Sequence, residues 1–328
     1  MRYRNMGDSD LNVSVIGFGA WEVGGQYGSF SEQEFAEAVQ RALDLGVSLF
    51  DTALGYGAGR SEALLGRALG TRRAEAVVVT KGGLPTRPDS KRPTDGRYTP
   101  LIRDIDDSLR ALEMDYVDLY LQHWPDKDTP IEESMRALVA IKQAGKARYV
   151  GVSNYHPQAL REAKQHAPIV TNQVGYNLFD RRWERQMFPT ARELGIGVMA
   201  YGPMAHGLLT GAFTRDTEFE EGDWRRRGLV FGQALFTPEN FAKNIGVVDG
   251  LQQIASDLGI GLAPLSIAWT LRDPVVAVAL SGTRRPAEIE ENVRAVDVAF
   301  TPEVLERIDR CLDSAAGQTE TLPAPNWS

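Results

Sequence analysis

The sequence predicts an α/β fold in which eight parallel strands close into a single (β/α)8 TIM barrel. Short runs of apolar and β-branched residues alternate with longer amphipathic segments along the whole chain. Eight such runs match the number of strands that closes a barrel of this type. The 328 residues show no linker-like change of composition, so we expect one domain over residues 1–328.

Short apolar runs mark the eight predicted barrel strands, and amphipathic patterns mark the helices between them. The strands are predicted at Val13–Gly17, Ser48–Asp51, Ala76–Lys81, Tyr116–Gln122, Ala147–Val152, Ile169–Val174, Gly197–Tyr201 and Val275–Leu280. The helices are predicted at Ser31–Leu45, Arg60–Leu69, Tyr98–Leu112, Ile131–Gln143, Pro157–Gln165, Arg182–Leu194, Glu239–Leu258, Leu262–Arg272 and Thr301–Asp313. The last two helices are not needed for the alternation of strands and helices in a barrel, so we expect them to be extra C-terminal helices.

Two segments depart from a bare barrel. Residues 3–14, with Gly7-Asp8 in the middle, predict an N-terminal β-hairpin. Residues 202–238 predict a long insertion after the seventh strand, rich in glycine, arginine and aromatic residues. Loops of that length in a compact domain are usually functional or mobile.

An open, doubly wound sheet is the alternative fold. It requires the glycine pattern G-x-G-x-x-G after its first strand. The only candidate segment is Gly17-Phe-Gly-Ala-Trp-Glu22, which ends in glutamate where close packing of a helix requires glycine. The barrel is therefore favoured.

Composition narrows the class of protein. A hydrophobic content of 43% suits a large core, and a net charge of -8 argues against nucleic-acid and anionic-membrane partners. A single cysteine, Cys311, excludes an internal disulfide, and neither a secretory signal nor a membrane-spanning run of ~20 apolar residues is evident. The histidines lack metal-binding spacing, so no metal is expected. These features predict a cytoplasmic protein with a small-molecule substrate. Because a closed barrel has no long exposed strand edges, the protein can be monomeric.

Polar residues follow the predicted strands at the ends that face the mouth of a barrel. Asp51 ends the second strand, with Tyr56 in the loop behind it, Lys81 ends the third, and His123 follows the fourth. The next three strands end near Ser153, Asn154, Gln173 and Tyr201. Each residue alone has an ordinary structural explanation, but four ionisable groups at one mouth predict a catalytic site.

These four groups suit proton transfer to a carbonyl oxygen while hydride reaches the carbon. A phenol titrates near 10 in water, which is too weak an acid for easy use at neutral pH. We expect Lys81 to lower the pKa of Tyr56, and Asp51 to keep Lys81 charged and oriented. His123 is expected to orient the carbonyl oxygen and share its developing charge.

Several motifs in order along the chain resemble those of the aldo-keto reductase superfamily. They are Phe50-Asp51-Thr52-Ala53-x-x-Tyr56-Gly57, Val79-Thr80-Lys81, Asp118-Leu-Tyr-Leu-Gln-His123-Trp124-Pro125-Asp126, Gly151-Val-Ser153-Asn154, Asn172-Gln173-Val-Gly-Tyr-Asn177, Tyr201-Gly-Pro-Met204 with Gly207-Leu-Leu-Thr-Gly211, and Gly282-Thr283-Arg284 before Glu291-Asn292. The matches extend from about residue 3 to residue 313. Individually they are moderately specific, and together they are very unlikely to arise by chance.

The resemblance implies that Asp51, Tyr56, Lys81 and His123 form a catalytic tetrad and that NADP(H) is the cofactor. It implies that Ser153, Asn154 and Gln173 hold the nicotinamide carboxamide, with Tyr201 stacked on the ring. The remaining implied cofactor contacts are Ala20, Trp21, the segment Gly202–Leu208 with Met204 and Gly207, and Gly282, Thr283, Arg284, Glu288, Glu291 and Asn292.

Two positions depart from the family pattern. Ser281-Gly282 stands where many members have proline followed by lysine or glycine, and Glu288 stands where some members have an arginine against the 2′-phosphate. A carboxylate there repels a phosphate unless Arg284 or Arg285 offsets it. NADP(H) is expected first, with NAD(H) possible. The segment Asp223-Trp-Arg-Arg-Arg227 resembles one that folds over the cofactor in related reductases, although a solvated loop explains it equally well.

The sequence therefore predicts a reversible, NADP(H)-linked reductase of aldehydes or ketones. Trp21, Trp124 and Trp224 suggest an aromatic surround for the carbonyl. Two other functions remain open: a Schiff-base aldolase or lyase that uses Lys81, and a slow or non-catalytic barrel that binds the cofactor as a redox sensor.

Overall fold

A computed structural model describes residues 1–25, 27–86 and 92–323. Over these residues, eight parallel strands form a closed barrel in the order β10-β3-β4-β5-β6-β7-β8-β9. These strands are β3 (Ile16–Gly19), β4 (Leu49–Asp51), β5 (Val77–Gly82), β6 (Val117–Gln122), β7 (Ala147–Ser153), β8 (Ile169–Gly175), β9 (Gly197–Tyr201) and β10 (Val276–Gly282). The barrel prediction is confirmed.

A short hairpin closes the base of the barrel. Its strands, β1 (Tyr3–Asn5) and β2 (Asn12–Ser14), pair antiparallel, as the sequence predicts. Met6, Leu11 and Val13 of the hairpin pack with inward-facing side chains of the barrel strands in one buried cluster. Hydrophobic burial thus fixes the hairpin against the strand starts and leaves the opposite, carboxyl ends of the strands open.

Helices surround the barrel, and a second, larger core lies between them and the strands. They are α1 (Glu32–Asp44), α2 (Arg60–Leu69), α3 (Tyr98–Leu112), α4 (Ile131–Gln143), α5 (Pro157–His166), α6 (Met187–Glu193), α7 (Pro238–Asp257), α8 (Leu262–Thr270), α9 (Pro286–Asn292) and α10 (Pro302–Leu312). Several starts have a clear local cause: the Ser31 hydroxyl accepts a hydrogen bond from the Glu34 N–H, and Pro157 occupies the first turn of α5.

Three elements differ from the sequence-based expectation. The first barrel strand begins at Ile16 instead of Val13, because Val13 and Ser14 belong to the hairpin. Helix α6 begins at Met187, five residues later than predicted. Pro189 explains the shift, because proline is tolerated in a first turn but disrupts a helix interior. Helix α9 was not predicted; its seven residues are too few for a clear periodic pattern.

The insertion 202–238 is described in full and contains only two short 3-10 turns, Ala205–Thr210 and Trp224–Arg227. It is anchored by buried aromatic contacts, among them Phe219 with Phe236 at 5.6 Å between ring centroids. Among the described helices, none combines the length and apolar character needed to cross a membrane.

The hairpin depends on Gly7. Its φ is +59°, and a Cβ there would lie 2.3 Å from the carbonyl oxygen of Gly195. Gly7→Ala should therefore lower the free energy of unfolding for two reasons. The left-handed backbone conformation costs about 1–2 kcal/mol for alanine, and overpacking costs about 1–3 kcal/mol. Urea denaturation gives the free energy of unfolding. Gly145→Ala is the matched control, because Gly145 has φ +72° with no atom within 4 Å of an added Cβ. Equal losses in the two variants would contradict the close packing of the hairpin turn.

Candidate active site

A buried ion pair lies at the open end of the barrel. Asp51 is the last residue of β4, and Lys81 lies next to the last position of β5. The Lys81 Nζ donates to Asp51 Oδ1 at 2.6 Å, to the Thr52 carbonyl at 2.8 Å and to the Tyr56 hydroxyl at 3.3 Å. All three ammonium donors are thus engaged, and Lys81 is 0% exposed. Burial raises the pKa of Asp51 and lowers the pKa of Lys81, while their contact opposes both shifts.

The strand ends beyond this pair form a continuous hydrogen-bond network. The Gln173 side-chain amide donates to Asp51 Oδ2 at 2.7 Å. The Ser153 hydroxyl donates to the Gln173 carbonyl at 2.9 Å, and the Asn154 amide donates to Ser153 Oγ at 3.0 Å. The Tyr201 hydroxyl donates to Asn154 Oδ1 at 3.0 Å. The predicted site residues of four strands are therefore held in one rigid arrangement.

His123 follows β6 and faces Tyr56. Their ring centroids are 5.5 Å apart, with an interplanar angle of 78°. His123 Nδ1 is buried and has no hydrogen-bond partner among the described residues. Burial, and then the positive charge of Lys81, hold the pKa of His123 well below its ordinary value. The imidazole is therefore neutral at physiological pH and can donate one hydrogen bond without adding charge.

The electrostatics of Tyr56 differ from the sequence-based expectation. Burial, followed by the negative charge of Asp51, raises the pKa of Tyr56 well above its ordinary value. The net shift is upward, whereas the sequence-based expectation was a lowering by Lys81, whose ammonium lies 3.3 Å from the hydroxyl. The phenol stays protonated at neutral pH, which is the form that a proton donor must have.

A cleft of about 480 Å³ extends from Tyr56 and His123 to helix α9. It brings together most of the residues that the sequence singles out. They are Trp21, Asp51, Tyr56, His123, Ser153, Asn154, Gln173, Tyr201, Gly202, Met204, Gly207, Gly282, Thr283, Arg284, Glu288, Glu291 and Asn292. Lys81 lies behind Asp51 and Tyr56, and Ala20 and Leu208 are buried in the core outside the cleft lining.

Glu288 caps the helix at the far end of the cleft. Its carboxylate accepts from the backbone N–H groups of Arg284 at 2.7 Å and Arg285 at 3.2 Å. It also accepts from Arg285 Nε at 2.9 Å. Arg284 turns its guanidinium toward the carbonyl oxygens of Tyr27 and Ser29. Glu288 therefore occupies donors that would otherwise be available to an anion at this helix start.

The insertion lies along one side of the cleft. Arg225 pairs with Asp223 at 2.5 Å, donates to the His206 carbonyl at 3.1 Å, and lies over the rings of Tyr27 and Phe219. Of the three arginines in 225–227, Arg225 alone lines the cleft. The insertion is thus tied to the cleft wall by an arginine whose charge is already engaged.

Sequence reasoning did not single out several cleft residues, notably Glu22, Tyr27, His206 and Phe231, although His206 falls within the predicted segment Gly202–Leu208. Phe231 lies 5.4 Å from Tyr201 and 6.1 Å from Trp124, between ring centroids. Glu22 directly follows Trp21 in the first strand-to-helix loop, which is a signal that could have marked it. The other three lie in loops whose path only the folded chain defines.

The lining fits a nicotinamide dinucleotide. Near Tyr201, the aromatic rings and side-chain amides suit a planar ring that carries a carboxamide. Glycines with positive φ at 202 and 207 bring backbone close to the middle of the cleft, where phosphates need N–H donors. His123 Nδ1 and Glu22 Oε2 are buried polar atoms of the lining without partners among the described residues. Such atoms are commonly completed by a ligand.

Comparison with known proteins agrees with this geometry. A family model described as the aldo/keto reductase family matches residues 15–313. The chain is 33% identical over 294 residues to aldo-keto reductase YhdN of Bacillus subtilis (88% of this chain, 87% of that protein). It is 34% identical over 349 residues to a probable voltage-gated potassium channel subunit beta of Oryza sativa (98% and 99%). The solved glycerol dehydrogenase of Gluconobacter oxydans superposes with a TM-score of 0.84 at 32% identity (99% and 98%).

The charge state of His123 can be tested directly. Its pKa lies well below the ordinary value, so its ring ¹⁵N shifts should stay those of neutral imidazole from pH 8 down to pH 6. Lys81→Met removes the positive charge that disfavours imidazolium, and the pKa should therefore rise. ¹⁵N NMR of the histidine rings measures both. A wild-type midpoint near 6.5 or above would contradict this assignment.

Proposed function

The chain belongs to the aldo/keto reductase family of NAD(P)H-dependent oxidoreductases, and we propose that it reduces aldehydes or ketones reversibly with Tyr56 as proton donor. The observation that supports this most is the contact of a protonated, half-buried phenol with Lys81 at the barrel mouth. The same cleft continues to residues suited to a dinucleotide.

The proposed mechanism assigns each side chain one task. When bound, NAD(P)H supplies a hydride to the carbonyl carbon. Tyr56 gives its phenolic proton to the carbonyl oxygen, and the Lys81 ammonium at 3.3 Å stabilises the phenolate left behind. Asp51 keeps Lys81 charged and in position through the 2.6 Å contact. Neutral His123 orients the carbonyl oxygen by a hydrogen bond that strengthens as negative charge develops there.

We propose that the predicted cofactor residues act along the cleft in order. Ser153, Asn154, Gln173 and Tyr201 hold the nicotinamide end. The backbone of 202–208 faces the phosphates. Gly282 lies between the two ends, beside the diphosphate. The adenosine end then meets a group of residues around α9, namely Thr283, Arg284, Glu291 and Asn292. Trp21 stacks beside Tyr56, with ring centroids 6.1 Å apart, and bounds the carbonyl side together with Trp124.

The two other functions are less well supported. A Schiff-base lysine must present an uncharged, accessible amine, whereas Lys81 is fully buried and donates to three oxygens. A slow redox-sensing barrel draws on the likeness to a protein named as a potassium channel subunit. Steady-state turnover of about 1 s⁻¹ or more on a carbonyl substrate, the ordinary range for enzymes, would exclude the slow barrel.

Tyr56→Phe removes the transferable proton and little else. With NADPH and a panel of aromatic aldehydes, kcat should fall by about 10²–10⁴-fold, the usual contribution of a positioned acid. The cofactor Kd, measured by quenching of tryptophan fluorescence, should stay within about twofold, because the ring is retained.

Tyr149→Phe is the matched control. It deletes a phenol that bonds Asp10 at 2.6 Å and lies outside the catalytic cleft, so kcat should be unchanged. Normal turnover by Tyr56→Phe would show that another group supplies the proton.

The cofactor preference depends on Glu288. Arg284 and Arg285 favour NADPH over NADH, and the Glu288 carboxylate offsets them. Glu288→Gln keeps an acceptor for the helix cap and removes one negative charge. The ratio of Kd for NADH to Kd for NADPH should therefore rise about five- to tenfold, in line with about 1 kcal/mol between two unit charges about 4 Å apart in water.

Glu290→Gln supplies the matched control on the same helix, because Glu290 is exposed and pairs with Arg41 instead. The same rise in both variants would mean that only the net charge of α9 matters. A tenfold wild-type preference for NADH in kcat/KM would overturn the proposed NADP(H) preference.

A further inference from the structure

One carboxyl group in the cleft, that of the half-buried Glu22, has no role in the proposed mechanism. Glu22 lies in the short turn that follows β3, and its side chain reaches across to β10. Its Oε1 lies 1.6 Å from where a Cβ on Gly282 would be. Gly19 and Gly282 are partners in the β3–β10 register, so the carboxyl group lies over a strand pair without side chains.

The second oxygen of this group lacks a partner. Glu22 Oε2 is buried and accepts no hydrogen bond from the described residues, and none of their ion pairs includes Glu22. Taking a carboxylate out of water is costly. Burial therefore raises the pKa of Glu22 to about 7, although a hydrogen bond from its own backbone N–H opposes the shift.

The nearby cations are already engaged elsewhere. Arg225 pairs with Asp223, and Arg284 donates to backbone carbonyls. The titratable and charged groups that act on Glu22, or on which Glu22 acts, are Arg284, Arg225, Glu288, Tyr27 and Tyr56. Two positive charges partly offset burial, but neither reaches the carboxyl group.

The position of Glu22 in the cleft determines which part of a dinucleotide it meets. One end of the cleft is formed by Tyr56 and Tyr201, and the other by Arg284 and Asn292. An extended dinucleotide that joined these ends would have its diphosphate between them, in the part of the cleft that Gly207 and Gly282 also line. A carboxylate there repels the diphosphate, whereas a carboxylic acid donates an O–H to a phosphate oxygen.

We propose that Glu22 binds the cofactor diphosphate as a neutral carboxylic acid, so that cofactor binding takes up one proton from solvent. This inference rests on the proposed NAD(P)H-binding function of the cleft. The Glu22 O–H hydrogen supplies the missing partner contact, and the diphosphate oxygen accepts it. Gly282 is required because any side chain at that position would displace the carboxyl group.

The sign of the pH dependence follows from this contact. The cofactor stabilises the protonated form, so it raises the pKa of Glu22 further in the complex. Below the free-protein pKa of about 7, the acid is already present and affinity is independent of pH. Above it, each binding event must recruit a proton, and Kd rises by up to about tenfold per pH unit until the pKa of the complex is reached.

The experiment measures the Kd of NADH between pH 6.5 and pH 9 by quenching of tryptophan fluorescence. NADH is the probe because it lacks the 2′-phosphate, whose own ionisation falls in this range. In wild type, Kd should rise at least tenfold over the series. Glu22→Gln retains the size and an amide donor but cannot titrate, so its Kd should change less than about twofold.

A control variant and a calorimetric count of protons test whether Glu22 is the group that titrates. Glu290→Gln removes an exposed carboxylate of α9 that pairs with Arg41 and does not line the cleft, so this variant should retain the wild-type slope. Calorimetry of wild type at pH 8 in two buffers of different ionisation enthalpy counts the protons directly; close to one is expected, and close to none in Glu22→Gln or Glu22→Ala.

Equal slopes in wild type and Glu22→Gln, or no proton uptake by wild type, would overturn the proposal. All of these are binding measurements, and they can be repeated in Tyr56→Phe. Proton uptake without carbonyl reduction would therefore contradict the proposed function alone, and reduction without proton uptake would contradict the role of Glu22 alone.

Discussion

The ion pair between Asp51 and Lys81 is the interaction on which the candidate site depends. Both side chains are out of water, and removing one partner of such a pair typically costs about 3–5 kcal/mol. The pair is retained because the surrounding strand ends satisfy it: the Thr52 carbonyl and Tyr56 accept from Lys81, and Gln173 donates to Asp51. The same contacts that offset desolvation also fix Tyr56 in place.

Barrel closure makes this pair possible. In the parallel register Asp51 lies opposite Val79, two residues before Lys81 on β5, and the long Lys81 side chain spans this offset to reach Asp51. At the other end, Met6 and Leu11 of the hairpin seal the interior with apolar side chains. The apolar base of the barrel therefore stabilises the fold, whereas the polar mouth carries the candidate site.

The sequence was sufficient to predict the barrel, the hairpin and the convergence of Tyr56, Lys81 and His123. The alternation of strands and helices is visible in the chain and fits a closed barrel, and a barrel brings the ends of its strands together at one mouth. It was insufficient where the outcome depends on competing neighbours. The pKa of Tyr56 is set by how much water burial removes, which no motif states. Glu288 was expected near a phosphate, but its bonds to the N–H groups of Arg284 and Arg285 could not be read from the chain.

Two carboxyl groups near the same mouth illustrate how position decides chemistry. Asp51 ends a strand whose neighbour supplies Lys81, and this ammonium opposes the rise in the pKa of Asp51 that burial causes. Glu22 lies one turn beyond a strand and faces Gly282, a position without a side chain to offer a cation. Burial raises the pKa of Glu22 against the opposing effect of its own backbone N–H, and an anionic ligand in the cleft would raise it further. The cleft therefore uses one carboxylate to hold a positive charge and another carboxyl group as a donor, and the difference arises from what stands on the adjacent strand.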